Sequence, residues 1–266
     1  MNFRVVFMGT PAFAVPSLEA LVGAGCDVAA VVTQPDRPTG RHQVPTPPPV
    51  KSVAESYGIP VLQPEKVRTP EFEQALRALS PDFLVTAAYG RILPAGVLAV
   101  PRVAPLNVHA SLLPKYRGAS PIQRCLIDGV SEAGVTIMRM DVGMDTGDVI
   151  LQRSMDVSGD MDAEELSGDL ARLGAAALVE ALDRIRAGTA TYSKQDESEA
   201  TVVRPLDRED GRIDWNASAR AVHDLVRGTR PWPGAYTTLC GARVKIHRTR
   251  LPGVSPDRRG EPGAGL

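Results

Sequence analysis

Two polar residues near the middle of the chain have the types and the spacing of a reaction site. Asn107 and His109 stand two positions apart at the end of the stretch APLNVH, which reads as a strand, so their side chains share one face. An asparagine amide donates a hydrogen bond to a developing oxyanion, and a histidine donates or accepts a proton near neutral pH. Together they could stabilise charge and move a proton at one edge of a sheet.

Asp145 is the third candidate, in the stretch MDVGMDTGDV. A carboxylate hydrogen-bonded to an imidazole fixes the tautomer of the ring and favours its charged form. Gly143 and Gly147 flank Asp145 and allow the backbone to bend sharply toward a ligand. The pattern leaves a second interpretation open, in which Asn107 and His109 only satisfy backbone groups at a strand end and Asp145 caps a turn.

Neither a nucleophile nor a metal site completes these three residues. No serine, cysteine or lysine stands in a recognisable nucleophile elbow, and the four histidines lack zinc-type spacing. An asparagine, a histidine and an aspartate alone suit a transfer between two bound substrates, because the attacking group then belongs to one of them. We therefore expect a site without a metal.

Composition limits the class of protein. The chain has 266 residues, of which 43% are hydrophobic and 23% are charged, as in a globular protein with a sizeable core. Its 30 basic and 31 acidic residues nearly cancel, so any affinity for nucleic acid must be local. The first apolar run is too short for a membrane span, and the three cysteines are widely separated. We expect a soluble, cytoplasmic protein with reduced thiols.

Short β-branched runs alternate with helical stretches over the first 157 residues. This alternation predicts βαβ units and a mainly parallel sheet, whose ligands bind at the carboxyl ends of the strands. The first strand ends without GxGxxG, so the sheet is Rossmann-like but lacks a dinucleotide site. The predicted strands cover residues 3–8, 28–33, 59–62, 82–88, 104–109, 135–140 and 149–153. The predicted helices include residues 17–22, 50–57 and 70–79, the last with Thr69 as N-cap.

A long helix at residues 162–186 is predicted to close the first domain, and Asp162 and Glu165 have capping-box spacing at its start. The polar stretch after it predicts a linker, and the remainder predicts a small domain with one helix and two strands. We therefore expect a catalytic domain at residues 1–188, a linker at 189–212 and a C-terminal domain at 213–266.

Two basic segments could meet a phosphate backbone. Residues 34–50 form a long connection with six prolines, two arginines and a histidine, where about two to six residues commonly suffice. Arg243, Lys245 and His247 alternate along a predicted strand and so share one face. Each segment also has a plainer interpretation, as a proline-stiffened surface loop and as a solvated strand face.

The residues around the candidate site resemble a known family. The stretch NVH, which contains Asn107 and His109, is followed by SLLPKYRG at residues 111–118, and Asp145 stands in DVGMDTGD. This combination resembles the formyltransferases that use 10-formyltetrahydrofolate. Similarity to the members that act on methionyl-initiator tRNA extends to GTP, TQPDRPTGR, AYGRILP and RPWPGA, at residues 9–11, 33–41, 88–94 and 230–235.

The resemblance implies a reaction and a set of contacts. The α-amine of methionine on initiator tRNA would attack the formyl carbon, while Asn107 and His109 stabilise the oxyanion and Asp145 orients His109. No metal is implied. The folate would lie against Gly90, Arg91, Ile92, Leu93, Ser111, Leu112, Leu113 and Pro114. The tRNA would meet Arg37, Arg41, His42, Arg243 and Lys245.

The resemblance also implies the fold class. It is α/β, with a Rossmann-like, mainly parallel sheet that has helices on both faces, followed by a small, incomplete β-barrel-like (OB-type) C-terminal domain. The barrel is expected to be incomplete because family members continue beyond residues 260–263. His42-Gln43-Val44 stand where the family usually carries lysines, which predicts a weaker grip on phosphate. The expected enzyme is a monomer.

Two other functions stay open from the sequence. The same three residues would serve an enzyme that formylates a small amine, such as an amino sugar or a ribonucleotide intermediate, although a short, neutral loop in place of residues 34–50 would suit it better. The shortened C-terminus also fits a relative that only binds folate or RNA.

Overall fold

The computed structural model describes residues 3–39 and 44–251, and the chain divides into two compact units. The first comprises Met1–Arg117, Gly134–Ser154 and Gly168–Thr201, and the second comprises Gly118–Ala133, Met155–Ser167 and Val202–Leu266. Each unit therefore draws on segments that are distant in sequence. The division into domains around residues 189–212 stays a prediction.

Strands and helices alternate along most of the chain. The strands are β1 (Arg4–Gly9), β2 (Asp27–Val32), β3 (Arg37–Thr39), β4 (Val44–Thr46), β5 (Val61–Leu62), β6 (Phe83–Ala87), β7 (Ala104–His109), β8 (Arg117–Gly118), β9 (Glu132–Arg139), β10 (Val149–Asp156), β11 (Val202–Val203), β12 (Ala235–Leu239) and β13 (Ala242–Ile246). The helices are α1 (Val15–Gly23), α2 (Pro49–Ser56), α3 (Pro70–Ala78), α4 (Ala95–Leu98), α5 (Pro121–Ile127), α6 (Ala163–Arg186) and α7 (Ala219–Gly228).

Seven strands form one sheet, in the order β10-β9-β7-β6-β1-β2-β5. From β7 to β5 every pairing is parallel, and β9 pairs antiparallel with β7. The predicted mainly parallel sheet is thus confirmed, and β7 coincides with its predicted bounds. Because β1, β6 and β7 are parallel, Gly9, Ala87 and His109 end at the same edge of the sheet.

Helices cover both faces of this sheet, as predicted. On one face, Leu84 of β6 is buried in a cluster with Phe72 of α3 and Val97 of α4. On the other face, α6 lies so close that a Cβ atom built on Gly174 would be 2.7 Å from Val108 Cγ1. The backbone of α6 therefore lies directly against β7, the strand that carries the candidate residues.

Two helix starts follow the capping signals of the sequence. Thr69 Oγ1 accepts a hydrogen bond from Phe72 N at the start of α3. Before α6, Asp162 Oδ1 accepts from Glu165 N, and Glu165 Oε2 accepts in return from Asp162 N. Both predicted caps are confirmed, because each side chain satisfies a backbone N–H that the helix leaves without a partner.

The structure adds elements that the sequence pattern does not predict. Inside residues 34–50, β3 pairs antiparallel with β4, and the last two residues of that stretch already belong to α2. α5 lies between β8 and β9, and β9 reverses the direction of the sheet next to β7. Strand direction depends on the path of the connection between strands, which apolar periodicity does not encode.

The second unit has a small core of its own. Ile213, Val226 and Ala235 are buried together, and Ile246 packs against them. β12 and β13 form an antiparallel hairpin. The predicted helix and two strands of the C-terminal region are present, as α7, β12 and β13.

Two properties of the chain bear on its chemistry. Among the described residues, no helix has the length and apolar character needed to cross a membrane. The three cysteines are free thiols, of which Cys240 is exposed rather than buried. Burial raises the pKa of Cys125 to about 12, so this thiol stays protonated and unreactive at neutral pH.

Two glycines of α6 give a matched test of its packing. A methyl group at Gly174 would lie 2.7 Å from Val108 Cγ1, whereas one at Gly168 would meet the Arg172 guanidinium at 3.7 Å. Gly168→Ala should stabilise the protein by up to about 1 kcal/mol through helix propensity. Gly174→Ala should be less stable than Gly168→Ala by about 1–3 kcal/mol, because overpacking opposes that gain. Urea unfolding measures both, and equal free energies would contradict the close contact.

Candidate active site

The Asn107 amide is oriented by its neighbour on the sheet. Thr86 lies beside Asn107 in the pairing of β6 with β7, and its hydroxyl donates to Asn107 Oδ1 at 2.8 Å. Asn107 Nδ2 then lies 3.4 Å from Asp145 Oδ1. The opposite amide orientation would turn an oxygen toward that carboxylate, which is unfavourable. The N–H groups of Asn107 are therefore directed toward Asp145.

His109 lies between this carboxylate and a backbone carbonyl. Its ring is 6% exposed, with Nδ1 3.6 Å from Asp145 Oδ2 and Nε2 3.0 Å from the Tyr116 carbonyl oxygen. A carbonyl oxygen only accepts hydrogen bonds, so Nε2 carries a proton. The carboxylate faces the other nitrogen of the ring. One carboxylate thus serves both strand-end side chains.

The loop that presents Asp145 has its own turn cap. Asp141 Oδ1 accepts hydrogen bonds from Gly143 N at 3.0 Å and from Thr146 Oγ1 at 2.8 Å. Asp145 has a φ of 56°, in the left-handed region that L residues rarely adopt. Asp141 therefore provides the cap that the plainer interpretation assigned to Asp145, and the Asp145 carboxylate reaches the two strand-end side chains.

The loop after β7 is fixed by buried hydrogen bonds. Thr136, fully buried on β9, donates from Oγ1 to the Ser111 carbonyl at 2.7 Å and accepts from Leu113 N at 3.1 Å. Gln152 Nε2 donates to the same hydroxyl at 2.9 Å and to the Leu113 carbonyl at 2.8 Å. The Leu113–Pro114 peptide bond is cis. The hydrogen bonds of Thr136 and Gln152 thus define the course of this loop.

The segment after β6 turns sharply and is tied to the start of the long loop. Ala88 and Gly90 have φ values of 44° and 79°. Gln34 Nε2 donates to the Tyr89 carbonyl at 3.1 Å. A Cβ atom on Gly90 would lie 2.9 Å from Gln34 Nε2, so glycine leaves room for this contact.

The residues predicted to contact folate differ in exposure. Ile92 is 64% exposed, whereas Leu93 is buried in the cluster that includes Leu84. The Leu93 side chain therefore packs into the core, and its backbone is the part left for a ligand. Gly90 is exposed, Ser111 and Leu113 are buried, and Arg91, Leu112 and Pro114 are partly buried. Their role in folate binding stays a prediction.

The first part of the long loop is anchored by side chains. Arg37 Nη2 donates to Gln34 Oε1 at 3.2 Å. Lys51 Nζ lies 2.8 Å from Asp36 Oδ2, and Gln63 Nε2 donates to Asp36 Oδ1 at 2.7 Å. These contacts, the Lys51 ammonium first, hold the pKa of Asp36 below its usual value. Arg37 is thus held at an anchored point of the loop.

The other predicted tRNA contacts have separate positions in the chain. Arg41 and His42 lie outside the described residues. In the second unit, the Arg243 guanidinium lies 3.5 Å from the centre of the Tyr236 ring. Lys245 pairs with Tyr236 across the hairpin, and both basic side chains are exposed. Alternation along β13 therefore puts Arg243 and Lys245 on one face, as predicted.

Sequence reasoning missed the residues that support the site. Thr136, Gln152 and Gln34 each join segments that are distant in the chain, and no local motif marks them. Their polarity at otherwise apolar or loop positions is a weak signal that many surface residues share. Among residues 3–39 and 44–251, no three His, Cys, Asp or Glu side chains are grouped as metal ligands.

Two family models match the chain. The model described as formyl transferase matches residues 1–182, and the model described as formyl transferase, C-terminal domain, matches residues 205–265. The first alone covers more than half of the chain. The protein therefore belongs to the formyl transferase family, as its resemblance implied.

Similar relatives within this family carry one name. The chain is 52% identical over 250 residues to methionyl-tRNA formyltransferase of Geobacter metallireducens, covering 94% of this chain and 80% of the relative. It is 52% identical over 261 residues to methionyl-tRNA formyltransferase of Anaeromyxobacter sp. strain K, covering 98% and 83%. The Helicobacter canadensis N-formyltransferase, solved with folinic acid and dTDP-3-aminofucose, matches with a TM-score of 0.71 at 20% identity, covering 93% of this chain and 87% of that chain. That last likeness shows the fold.

Thr136→Val removes one hydroxyl from the support of the loop after β7 and keeps the shape of the side chain. Leu113 N–H and the Ser111 carbonyl then lose a buried partner. We expect the free energy of unfolding, measured in urea, to fall by about 2–3 kcal/mol. Thr191→Val, at an exposed position, should change it by less than about 0.5 kcal/mol. Equal effects of the two substitutions would show that the hydroxyl does not hold the loop.

Proposed function

We propose that this protein transfers the formyl group of 10-formyltetrahydrofolate to the α-amine of methionyl-initiator tRNA. The main support is the convergence of Asn107, His109 and Asp145 at the carboxyl edge of the sheet. The 52% identity to relatives named methionyl-tRNA formyltransferase favours charged tRNA over a small amine as the acceptor.

The reaction would begin with attack of the amine nitrogen on the formyl carbon. The carbonyl oxygen becomes an oxyanion, and an N–H of Asn107 would donate to it. The bond from the formyl carbon to N10 of the folate then breaks as the new amide forms. The proton that the amine loses passes to N10, so that the products are formyl-methionyl-tRNA and tetrahydrofolate.

His109 would add a second donor and a path for the proton. Its Nε2 proton is directed at the Tyr116 carbonyl. An oxyanion bound beside that carbonyl would compete for this proton, and such hydrogen bonds often tighten only when substrate is bound. Asp145 would hold the ring and balance the positive charge that it carries during transfer.

The two substrates would contact different segments of the chain. Folate would lie against the backbone of residues 90–93 and against the residue 111–114 loop, which Thr136 fixes in advance. The acceptor end of the tRNA would meet Arg37, Arg41 and His42, and Arg243 and Lys245 would add contacts to phosphate.

The same proposal includes the organisation of the enzyme. Residues 1–188 would carry catalysis, 189–212 would link, and 213–266 would bind tRNA. A monomer would suffice, because the three candidate catalytic residues lie within the first unit. The location would be cytoplasmic, where charged initiator tRNA is found.

Transfer of labelled formyl from 10-formyltetrahydrofolate to methionyl-tRNA tests this function. Asn107→Ala should lower kcat about a hundredfold to a thousandfold, because one oxyanion donor is lost. Asn216→Ala, an exposed asparagine in the second unit, should leave kcat within about twofold. His109→Ala should abolish transfer. Activity of the unaltered protein on amino-sugar nucleotides but not on charged tRNA would contradict the proposal.

The basic face of β13 makes a separate prediction about affinity. Lys245→Gln should weaken tRNA binding and lower the slope of log K against log salt by about 1, because one phosphate contact is lost. Titrations at two salt concentrations measure the slope. Lys66→Gln, an exposed lysine of the first unit, is the control and should leave the slope unchanged. If Lys245→Gln has the same slope as the unaltered protein, this face of β13 does not contact tRNA phosphate.

A further inference from the structure

Gln195 holds the backbone of the Asp145 loop from outside. Its Nε2 atom donates to the Asp145 carbonyl oxygen and to the Gly147 carbonyl oxygen, both at 2.8 Å. These carbonyls belong to Asp145, where the chain adopts φ 56°, and to the residue two positions after it. Because that conformation is intrinsically unfavourable, it persists only where other contacts fix it. The Gln195 amide supplies two of them.

The oxygen of the same Gln195 amide accepts a hydrogen bond from a buried arginine. Gln195 Oε1 accepts from Arg117 Nε at 3.0 Å. The buried Arg117 guanidinium also donates to both carboxylate oxygens of Glu197, at 2.9 and 2.7 Å. The hydrogen bond to Arg117 holds the pKa of Glu197 below its usual value, so the pair is charged at neutral pH. The guanidinium that donates to Gln195 is therefore itself held in place by Glu197.

These contacts connect the two partners of His109. The Tyr116 carbonyl, which faces His109 Nε2, belongs to the residue before Arg117. The Asp145 carboxylate, which faces His109 Nδ1, belongs to the loop that the Gln195 amide holds. The Gln195 amide thus joins the segment of Tyr116 and Arg117 to the loop of Asp145.

We propose that Gln195 is a positioning residue, which sets the distance of the Asp145 carboxylate from His109 and thereby the rate of formyl transfer. The role rests on the proposed function, since it acts through two residues of that mechanism. Arg117 and Glu197 fix Gln195 in turn. Positioning of this kind acts on kcat and leaves substrate affinity nearly unchanged, because Gln195 is not among the proposed substrate contacts.

Two substitutions separate the donor role of the Gln195 amide from its acceptor role. Gln195→Met removes the donor and the acceptor, whereas Gln195→Glu keeps an acceptor for Arg117 and removes the donors to the two carbonyls. Both should lower kcat about tenfold to a hundredfold, with KM for both substrates within about threefold. Glu199→Gln is the matched control in the same segment, since its side chain is exposed, and it should retain kcat.

Hydrogen exchange gives a readout that does not depend on activity. Backbone amides of residues 141–148 should exchange about tenfold faster in both Gln195 variants and at the original rate in Glu199→Gln. Unchanged kcat and exchange in Gln195→Met would overturn the proposal, as would full kcat in Gln195→Glu or a loss confined to KM. The unaltered protein could form no formyl-methionyl-tRNA while residues 141–148 still exchange faster in the Gln195 variants. The proposed function would then be wrong, but the role of Gln195 in fixing the loop would be supported.

Discussion

The position of one carboxylate governs the candidate site. Asn107 and His109 leave the same face of β7 about 7 Å apart, and the Asp145 carboxylate has to reach both. Its two oxygens do so separately, one toward the amide and one toward the ring. The loop that brings it there adopts an unfavourable backbone conformation, so the site depends on contacts that the loop itself does not contain.

Contacts of this kind allow several residues with strained backbone conformations to lie at this edge of the sheet. Ala88, Tyr116 and Asp145 all have positive φ, in three loops that follow β6, β7 and β9. Such conformations persist when the surroundings over-determine them. The parallel strands fix where each loop begins, and buried side chains such as Thr136 fix its course. The rigid sheet and α6 therefore hold the loop residues in defined positions.

The sequence was sufficient for the features that depend on local pattern. The bounds of β7, the cap at Thr69 and the reciprocal cap of Asp162 and Glu165 follow from alternation and from capping chemistry, and each is present. The sequence also indicates Asn107, His109 and Asp145, because their residue types carry chemistry. Their roles remain proposals, although their convergence is now a geometric fact.

The sequence was insufficient where function depends on contacts between distant segments. Gln195 lies in a polar stretch that predicts a linker, and nothing local distinguishes it from its neighbours. Arg117 is another such residue, because its burial and its ion pair with Glu197, 80 positions away, show that it shapes a loop. Hydrogen bonds between residues about 80 positions apart leave no periodic trace.

Gln34 has a consequence for how two substrates would share this edge. Its amide group donates to the Tyr89 carbonyl and accepts from Arg37, so one short side chain joins the loop proposed for folate to the loop proposed for tRNA. Ordering either loop restricts the other through this amide. Any cooperativity that results must be reciprocal, because linkage requires folate to raise the affinity for tRNA by the same factor as tRNA raises the affinity for folate.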